Sequence, residues 1–432
     1  MARKFLSFLG TSSYSECTYC FAGMEKEKYT SKFIQEALVK IVCDNWDKDD
    51  KVIIFLTRDA EKENWYNDSD ISRRLKTNLE SVSRLEVIPI SIPDGKTEEE
   101  IWEIFDIVSD QIEEYDEIIF DITHSFRSIP MLALVVLNYV KVVKSAKILG
   151  IYYGAFDAKN SDNVAPIFDL TPLDEILEWS QAVNTFLRYG NTGHLKDISI
   201  NVLKPNLANK EKWAQDTGKF IDSLNDLTMC LYTCRGMIMD DEKGANRKSI
   251  SSASTAVKNN LEKIDKIDGG YKLKPLVPLL KKIKERTDLF NESDNLSLGI
   301  SSTKWYIDNN LIQQAYTALD ETMKTYICVR FGLNSSSKDD REEIAQKALK
   351  IKERKIPEDK WDVKPEYLIK VKELVEELDC ELVALSGKIG NRRNDINHFG
   401  FNNDSVTYNS LLENVNNYYK EFINYVKKHE NA

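Results

Sequence analysis

Glu117-Ile118-Ile119-Phe120-Asp121-Ile122-Thr123-His124-Ser125-Phe126-Arg127-Ser128-Ile129-Pro130 runs from an apolar strand, through a polar turn, into an apolar helix. The strand is short and rich in Ile and Phe, as strands covered on both faces are. The turn crowds Thr123, His124, Ser125 and Arg127 at one point. In open parallel sheets, ligands bind beyond the carboxyl ends of the strands. A helix that starts there adds unpaired N–H groups and partial positive charge, so the run predicts an anion site. Arg127 suits a phosphate, and His124 can stack on a base or donate a hydrogen bond. A cap alone needs one polar side chain, and this turn supplies four.

Strand signals surround this run at Lys4–Leu9, Val52–Leu56, Leu85–Ile90, Lys147–Tyr153 and Pro166–Asp169. Helical periodicity lies between them: Phe33, Ile34, Leu38, Ile41 and Val42 share one face, as do Ile101, Trp102, Phe105, Val108 and Ile112. Thr97 and Glu100 form a capping box ahead of the second set. Ser128 to Val143 is apolar nearly all round, which predicts a helix deep against the sheet. Alternation at this spacing predicts a doubly wound parallel sheet, an α/β Rossmann-like domain over residues 1–172. Two further strand ends offer ligand groups. Gly10-Thr11-Ser12-Ser13 follows the first strand, where Gly10 lets the backbone approach a ligand and the hydroxyls supply donors. Tyr153 and Gly154 end a later strand and could wall the same pocket with an aromatic surface for a base.

At Thr171-Pro172-Leu173-Asp174 the pattern changes to a strong helix start, a capping hydroxyl followed by proline and an acid. From 173 to 432 almost no strand signal remains, which predicts an all-α region. Helices are expected at Leu173–Leu187, Lys212–Arg235, Ser251–Ile264, Pro275–Phe290, Trp305–Arg330, Arg341–Ile351, Pro365–Ile389 and Ser405–His429.

The totals narrow the function. The chain has 432 residues, 42% hydrophobic and 30% charged, as an ordinary globular protein of two or three domains does. Its net charge of -11 excludes a general nucleic-acid coat, since phosphate neutralisation needs a basic surface. An acidic enzyme can still act on RNA where its basic groups are confined to a cleft. No apolar stretch is long enough to span a bilayer, and the N-terminus lacks signal-peptide features, so a cytoplasmic location is expected. Seven scattered cysteines then read as reduced thiols. Cys17 and Cys20 form a CxxC with no second ligand pair at finger-like spacing, so they read as loop residues and no metal is expected. The absence of GxGxxG argues against a dinucleotide coenzyme.

Near the C-terminus lies Gly390-Asn391-Arg392-Arg393-Asn394-Asp395-Ile396-Asn397-His398-Phe399-Gly400. Asn394 and His398 share a helix face at i, i+4. Arg393 lies about 140° round from His398 on an ideal helix, within reach of a common cleft through its long side chain. These residue types fit metal-free RNA cleavage. The ribose 2′-hydroxyl attacks its own phosphate, leaving a 2′,3′-cyclic phosphate and a free 5′-hydroxyl. A histidine moves the proton, and an arginine fork stabilises charge building on phosphorus. Asn394 could orient either the histidine or the phosphate.

The combination of Gly10-Thr11-Ser12-Ser13, Asp121 to Pro130, and Arg393-Asn394-Asp395-Ile396-Asn397-His398 resembles the CARF–HEPN ribonucleases of type III CRISPR systems. CARF denotes a CRISPR-associated Rossmann fold and HEPN a helical nuclease domain. The resemblance implies that residues 1–172 form a CARF sensor of cyclic oligoadenylate and that the helical region 173–432 holds the HEPN ribonuclease. It implies a ligand set of Gly10, Thr11, Ser12, Ser13, Thr123, His124, Ser125, Arg127, Tyr153 and Gly154. The family's R-x4–6-H motif maps onto Arg393 and His398, with Asn394 the polar residue that follows the arginine; Arg392 also satisfies the looser spacing. The resemblance further implies a homodimer, open to higher assembly, with two motifs building one composite cleft that cuts single-stranded RNA without a cofactor. The expected activator is cyclic tetra-adenylate, with cyclic hexa-adenylate second. His124 and its neighbouring hydroxyls could also assist cleavage of the ring. The competing expectation is a ligand-controlled, DNA-binding transcription regulator on the same sensor domain.

Overall fold

The computed structural model describes residues 2–21, 27–67, 70, 74–124, 129–236, 248–264 and 276–430. It divides into two compact units, Met1–Ile176 and Leu177–Ala432.

The first unit is built on one sheet with strands β1 Arg3–Leu9, β2 Cys17–Phe21, β3 Lys28–Ser31, β4 Lys51–Leu56, β5 Glu86–Ser91, β6 Glu117–Asp121, β7 Lys147–Gly154 and β8 Val164–Asp169. Their order across the sheet is β3-β2-β8-β7-β6-β1-β4-β5. The centre, β5 to β7, is parallel, as the sequence pattern predicts. The flank is not: β7 pairs antiparallel with β8, and β2 antiparallel with β3. The sheet is therefore mixed. β2 and β3 carry a weak apolar signal because they lie toward one edge, with Thr18 and Thr30 facing each other across the exposed pair. Cys17 and Cys20 belong to β2, a strand rather than a loop.

Strand β1 is buried on both faces. Phe5 and Leu9 enter the layer formed with α1 Ile34–Val42 and the helix Leu75–Val82. Leu6 and Phe8 enter the layer formed with the helices Glu98–Asp110 and Ile129–Val143. Phe8 packs on Phe55 and Phe120 from the two neighbouring strands, with ring centroids 5.0 and 5.9 Å apart. Such aromatic pairs are worth roughly 0.5–1.5 kcal/mol beyond the area they bury, which favours this register of the three central strands. Thr97 caps Glu98–Asp110 by accepting from the Glu100 N–H at 3.2 Å.

Two expectations change here. The helix Ile129–Val143 is not deep all round: Met131, Val135 and Val142 are exposed while Ala133, Val136, Leu137 and Val140 face the sheet. Nor does the Thr171 hydroxyl cap the helix Thr171–Tyr189; it accepts a hydrogen bond from the Ile151 N–H of β7 at 3.0 Å. Among the described residues, no helix is long and apolar enough to cross a membrane.

The second unit is helical, with one continuous core running from Trp179 to Val426. A helix at Gly193–Ala208 has no strong sequence signature. Two expected helices are each divided. Trp305–Arg330 is Asn295–Asp308 followed by Ile312–Arg330, because Asn310 adopts a left-handed conformation. Pro365–Ile389 is Leu368–Glu377 followed by Cys380–Asn397, where Asp379 caps the new helix through the Leu382 N–H at 2.9 Å.

Gly190 ends Thr171–Tyr189 at φ +62°, and a Cβ there would run into the indole of Trp305. Gly190→Ala is expected to cost about 2–4 kcal/mol from left-handed strain plus displacement of Trp305. The midpoint of urea unfolding measures it, and an unchanged midpoint would show the turn relaxes freely.

Candidate functional site

The chain lays β4 and β5 on one side of β1, then returns with β6 on the other. That reversal opens a crevice at the carboxyl ends of the strands. A cavity of about 260 Å³ lies there, lined by residues from the ends of β1, β4, β5 and β6. Gly10, Thr11 and Ser12 form its β1 side, and Thr123 and His124 its β6 side. Tyr14, Thr57 and Ile92 also line it.

The geometry of the crevice starts from Asp121, fully buried at the end of β6. Burial pushes its carboxyl up to about 6, against three hydrogen bonds that favour the charged form. Ser7 Oγ of β1 donates at 2.7 Å, the Thr123 N–H at 3.0 Å and the Thr123 hydroxyl at 2.5 Å. Thr123 Oγ1 in turn accepts from the Gly154 N–H of β7 at 2.8 Å. The ends of three adjacent strands are thereby held in one network. The β1 loop is held separately. Asn64 Nδ2 donates to the Gly10 and Ser12 carbonyls, both at 2.9 Å. A Cβ at Gly10 would sit 2.6 Å from the Tyr14 hydroxyl oxygen, so a larger residue there would displace the tyrosine.

His124 faces this cavity in its neutral form. Burial pushes its imidazole down to about 4. The ring lies 4.5 Å from that of Tyr14, centroid to centroid. Its Nε2 is shut off from solvent and has no hydrogen-bond partner among the described residues. A buried polar nitrogen without a partner is costly, so a ligand hydroxyl or amine reaching it would gain a bond the apo protein lacks.

The other expected ligand residues are placed differently. Ser13 is exposed and outside the cavity lining. Tyr153 is also outside it, its ring stacked near Phe168 at 6.3 Å. Gly154 contributes through its N–H to Thr123, and a Cβ there would press on Ile34 at 2.5 Å. Ser125 and Arg127 lie outside the described residues, and the following helix is seen from Ile129. Asn64 was not legible as a positioning residue. Its only signal is an amide within the charged run Glu61-Lys62-Glu63-Asn64-Trp65.

The C-terminal motif lies at the end of the helix Cys380–Asn397, with His398 as its C-cap. The His398 N–H bonds the Asn394 carbonyl at 2.9 Å, so these two residues share a face. Both side chains are exposed. Arg393 Nη1 is paired with the carboxylate of Asp320, a buried residue of the helix Ile312–Arg330. Lys324 Nζ lies 3.0 Å from the same Asp320 oxygen and 2.8 Å from Glu321, and Arg341 pairs with Glu321 at 2.7 Å. Burial alone would raise the Glu321 carboxyl, but Lys324 and Arg341 outweigh it and hold the pKa below its ordinary value. Three cations stand against two carboxylates, which leaves local positive charge within an acidic protein. Arg392 is used elsewhere: its Nη1 donates to the Asp404 carbonyl at 2.9 Å and pins the loop that follows the motif. Asp320 was missed in the sequence. Its signal is an acid on the core face of an amphipathic helix, one turn from buried Tyr316 and Met323.

The fold defines a Rossmann-like unit with a crevice at its strand ends, followed by a helical unit. Residues 4–157, within the first unit, match the family model described as the CARF domain of the CRISPR system endoribonuclease Csx1. The chain is also 30% identical over 268 residues to the CRISPR-associated protein MJ1674 of Methanocaldococcus jannaschii. That match covers 61% of this chain and spans 37% of the relative's length. A solved structure, Enterococcus italicus Csm6 bound to cyclic hexa-2′-fluoro-hexa-dAMP, aligns over 98% of this chain and 92% of its own, at 10% identity and a TM-score of 0.46.

The buried imidazole yields a prediction. The unfolded chain takes up the His124 proton near pH 6.5 and the folded chain only near 4. Its contribution to stability is therefore fully present above about pH 6.5 and declines as pH falls toward 4. The His124 ring resonances should stay constant from pH 8 to about 5. Titration near neutrality would show the ring is hydrated instead.

Proposed function

We propose that this chain is an RNA endonuclease switched on by a cyclic oligoadenylate and acting in type III CRISPR defence. The observation that carries the reading is the arrangement at the end of Cys380–Asn397. Arg393 is held by Asp320 through one nitrogen and makes no protein hydrogen bond through Nε or Nη2 among the described residues, while His398 is exposed on the same helix end. The match of residues 4–157 to the Csx1 CARF domain supports the sensor half.

The chemistry is transesterification within the RNA. The 2′-oxygen forms a bond to phosphorus as the bond from phosphorus to the 5′-oxygen breaks. The proton lost by the 2′-hydroxyl ends on the departing 5′-oxygen. His398 moves that proton, and the free donors of Arg393 bind the phosphate oxygens as negative charge builds on them. The role is assigned to Arg393, and Arg392, whose Nη1 donates to the Asp404 carbonyl, is the second arginine that the motif spacing allows. Asn394, on the His398 face, orients the ring or the phosphate. No step draws on a metal or an organic cofactor.

In the first unit, the phosphates and adenines of the ring meet the Gly10 to Ser12 loop, Thr123 and the unpartnered Nε2 of His124, with Ser13, Ser125, Arg127, Tyr153 and Gly154 as further contacts. Cyclic tetra-adenylate fits a twofold site most simply, since each protomer meets two adenylates. The apolar stripe Met131, Val135 and Val142 on Ile129–Val143 is the surface that would pair in the homodimer. The ring then shifts the dimer toward a state in which two motifs share one cleft.

Arg393→Ala and His398→Ala should each lower activated cleavage of labelled single-stranded RNA by about 10²-fold or more. Cyclic tetra-adenylate is compared with larger and smaller rings, in chelator. Full activity in both variants would remove the site. Asp320→Asn should cost about tenfold in kcat with KM little changed, as the loss of a positioning partner does. An unchanged kcat would mean that Arg393 needs no such support.

A further inference from the structure

Immediately after His398 the chain displays two phenyl rings to solvent. Phe399 is 88% exposed and Phe401 is 89% exposed, values that leave almost no ring surface covered. The rings are near parallel, 23° apart in plane, with centroids separated by 6.4 Å. Solvation of large apolar side chains is unfavourable, and such display on a loop commonly marks a binding surface.

The loop that carries them is built, not slack. Phe399 takes φ +57°, and Gly400 follows at +74°. A left-handed backbone is unfavourable for a bulky side chain and persists only where the surroundings hold it. They do so from both ends. The Phe399, Gly400 and Phe401 N–H groups bond back to the Ile396, Asp395 and His398 carbonyls at 3.0–3.1 Å. Asp395, buried in the motif helix, accepts from the Val406 N–H at 3.1 Å, and Arg392 grips the Asp404 carbonyl at 2.9 Å. Two side chains of the motif helix, Arg392 and Asp395, therefore hold the backbone of the loop that displays the two rings.

The chemistry around the rings selects the occupant. The neighbouring exposed side chains are polar: the amides Asn394, Asn397, Asn402 and Asn403, with His398, Asp404 and Ser405. Aromatic faces beside amide donors and acceptors suit unpaired nucleobases, which offer flat faces to stack and polar edges to pair. We infer that Phe399 and Phe401 form a stacking platform for a base of single-stranded nucleic acid beside the scissile phosphate. The inference rests on the proposed nuclease reading and deepens it by assigning substrate recognition to named residues. A platform of this kind explains a preference for unpaired strands, because duplex bases present no free face. It also predicts tolerance of base identity, because every base has a stackable face.

The test measures binding apart from cleavage. A fluorescent single-stranded RNA is titrated into the full chain carrying His398→Ala, with and without cyclic tetra-adenylate. The same titration follows on that background with Phe399→Leu and Phe401→Leu added. Affinity should fall roughly tenfold. Phe399→Tyr with Phe401→Tyr, which keeps both rings, should restore it. An RNA with abasic sites throughout should bind the parent and the leucine variant alike. Equal affinity of parent and leucine variant for the ordinary RNA overturns the platform, as does an absence of RNA binding by the parent. Sedimentation that shows the leucine variant monomeric where the parent is dimeric also overturns it and assigns the rings to a subunit interface. Failure of the nuclease reading has a different signature: the wild-type chain binds RNA through the rings but cuts none with any ring activator.

Discussion

A carboxylate taken fully out of water is unfavourable unless hydrogen bonds replace its hydration, and at Asp121 that replacement organises the strand ends around the crevice. Its partners come from β1 and from the residue two positions on, and Thr123 passes the connection to β7. Three strand ends are therefore coupled through one buried acid. The crevice that follows has walls set by main chain and short side chains rather than by long mobile ones. This is why Gly10, Thr123 and His124, remote in sequence, face a common space. The same burial that lifts the Asp121 carboxyl keeps the His124 imidazole uncharged, so the crevice offers hydrogen bonds more than formal charge.

The helical unit uses the opposite device. Arg393 is fixed by a partner from a different helix, Asp320, itself steadied by Lys324. An arginine held at one nitrogen retains directed donors on the others. Arg392, one position earlier, is turned to the Asp404 carbonyl and shapes the following loop instead. Adjacent arginines thus have separate partners: Arg393 pairs with Asp320 of another helix, and Arg392 holds the Asp404 carbonyl in the loop that follows Phe399 and Phe401.

Much of this was legible in the residues. The parallel centre of the sheet follows from short Ile- and Phe-rich runs spaced by amphipathic helices, and every central strand lies within a residue or two of its expected place. The antiparallel flank was not legible. β2 and β3 lie near an edge, where one exposed side weakens the alternating signal, and strand direction is decided by how the chain returns rather than by local composition. The division of Trp305–Arg330 escaped notice because Asn310 interrupts the backbone while the apolar period resumes soon after it. The exposed stripe on Ile129–Val143 escaped because an apolar helix looks alike in sequence whether solvent or a second surface covers it.

The sequence by itself determined which residues could do chemistry: the polar turn after Phe120, the Gly-Thr-Ser loop after Leu9, and the Arg-Asn-x-x-x-His spacing near the C-terminus. Periodicity and residue type are local properties and can be read along one chain. Only the tertiary structure decided which of those residues meet and in what state. Asn64 clamps a loop more than fifty residues earlier, Asp320 reaches Arg393 across 73 positions, and burial sets the charge of His124. Those are consequences of distance in space and exclusion of water, which no spacing along a chain encodes.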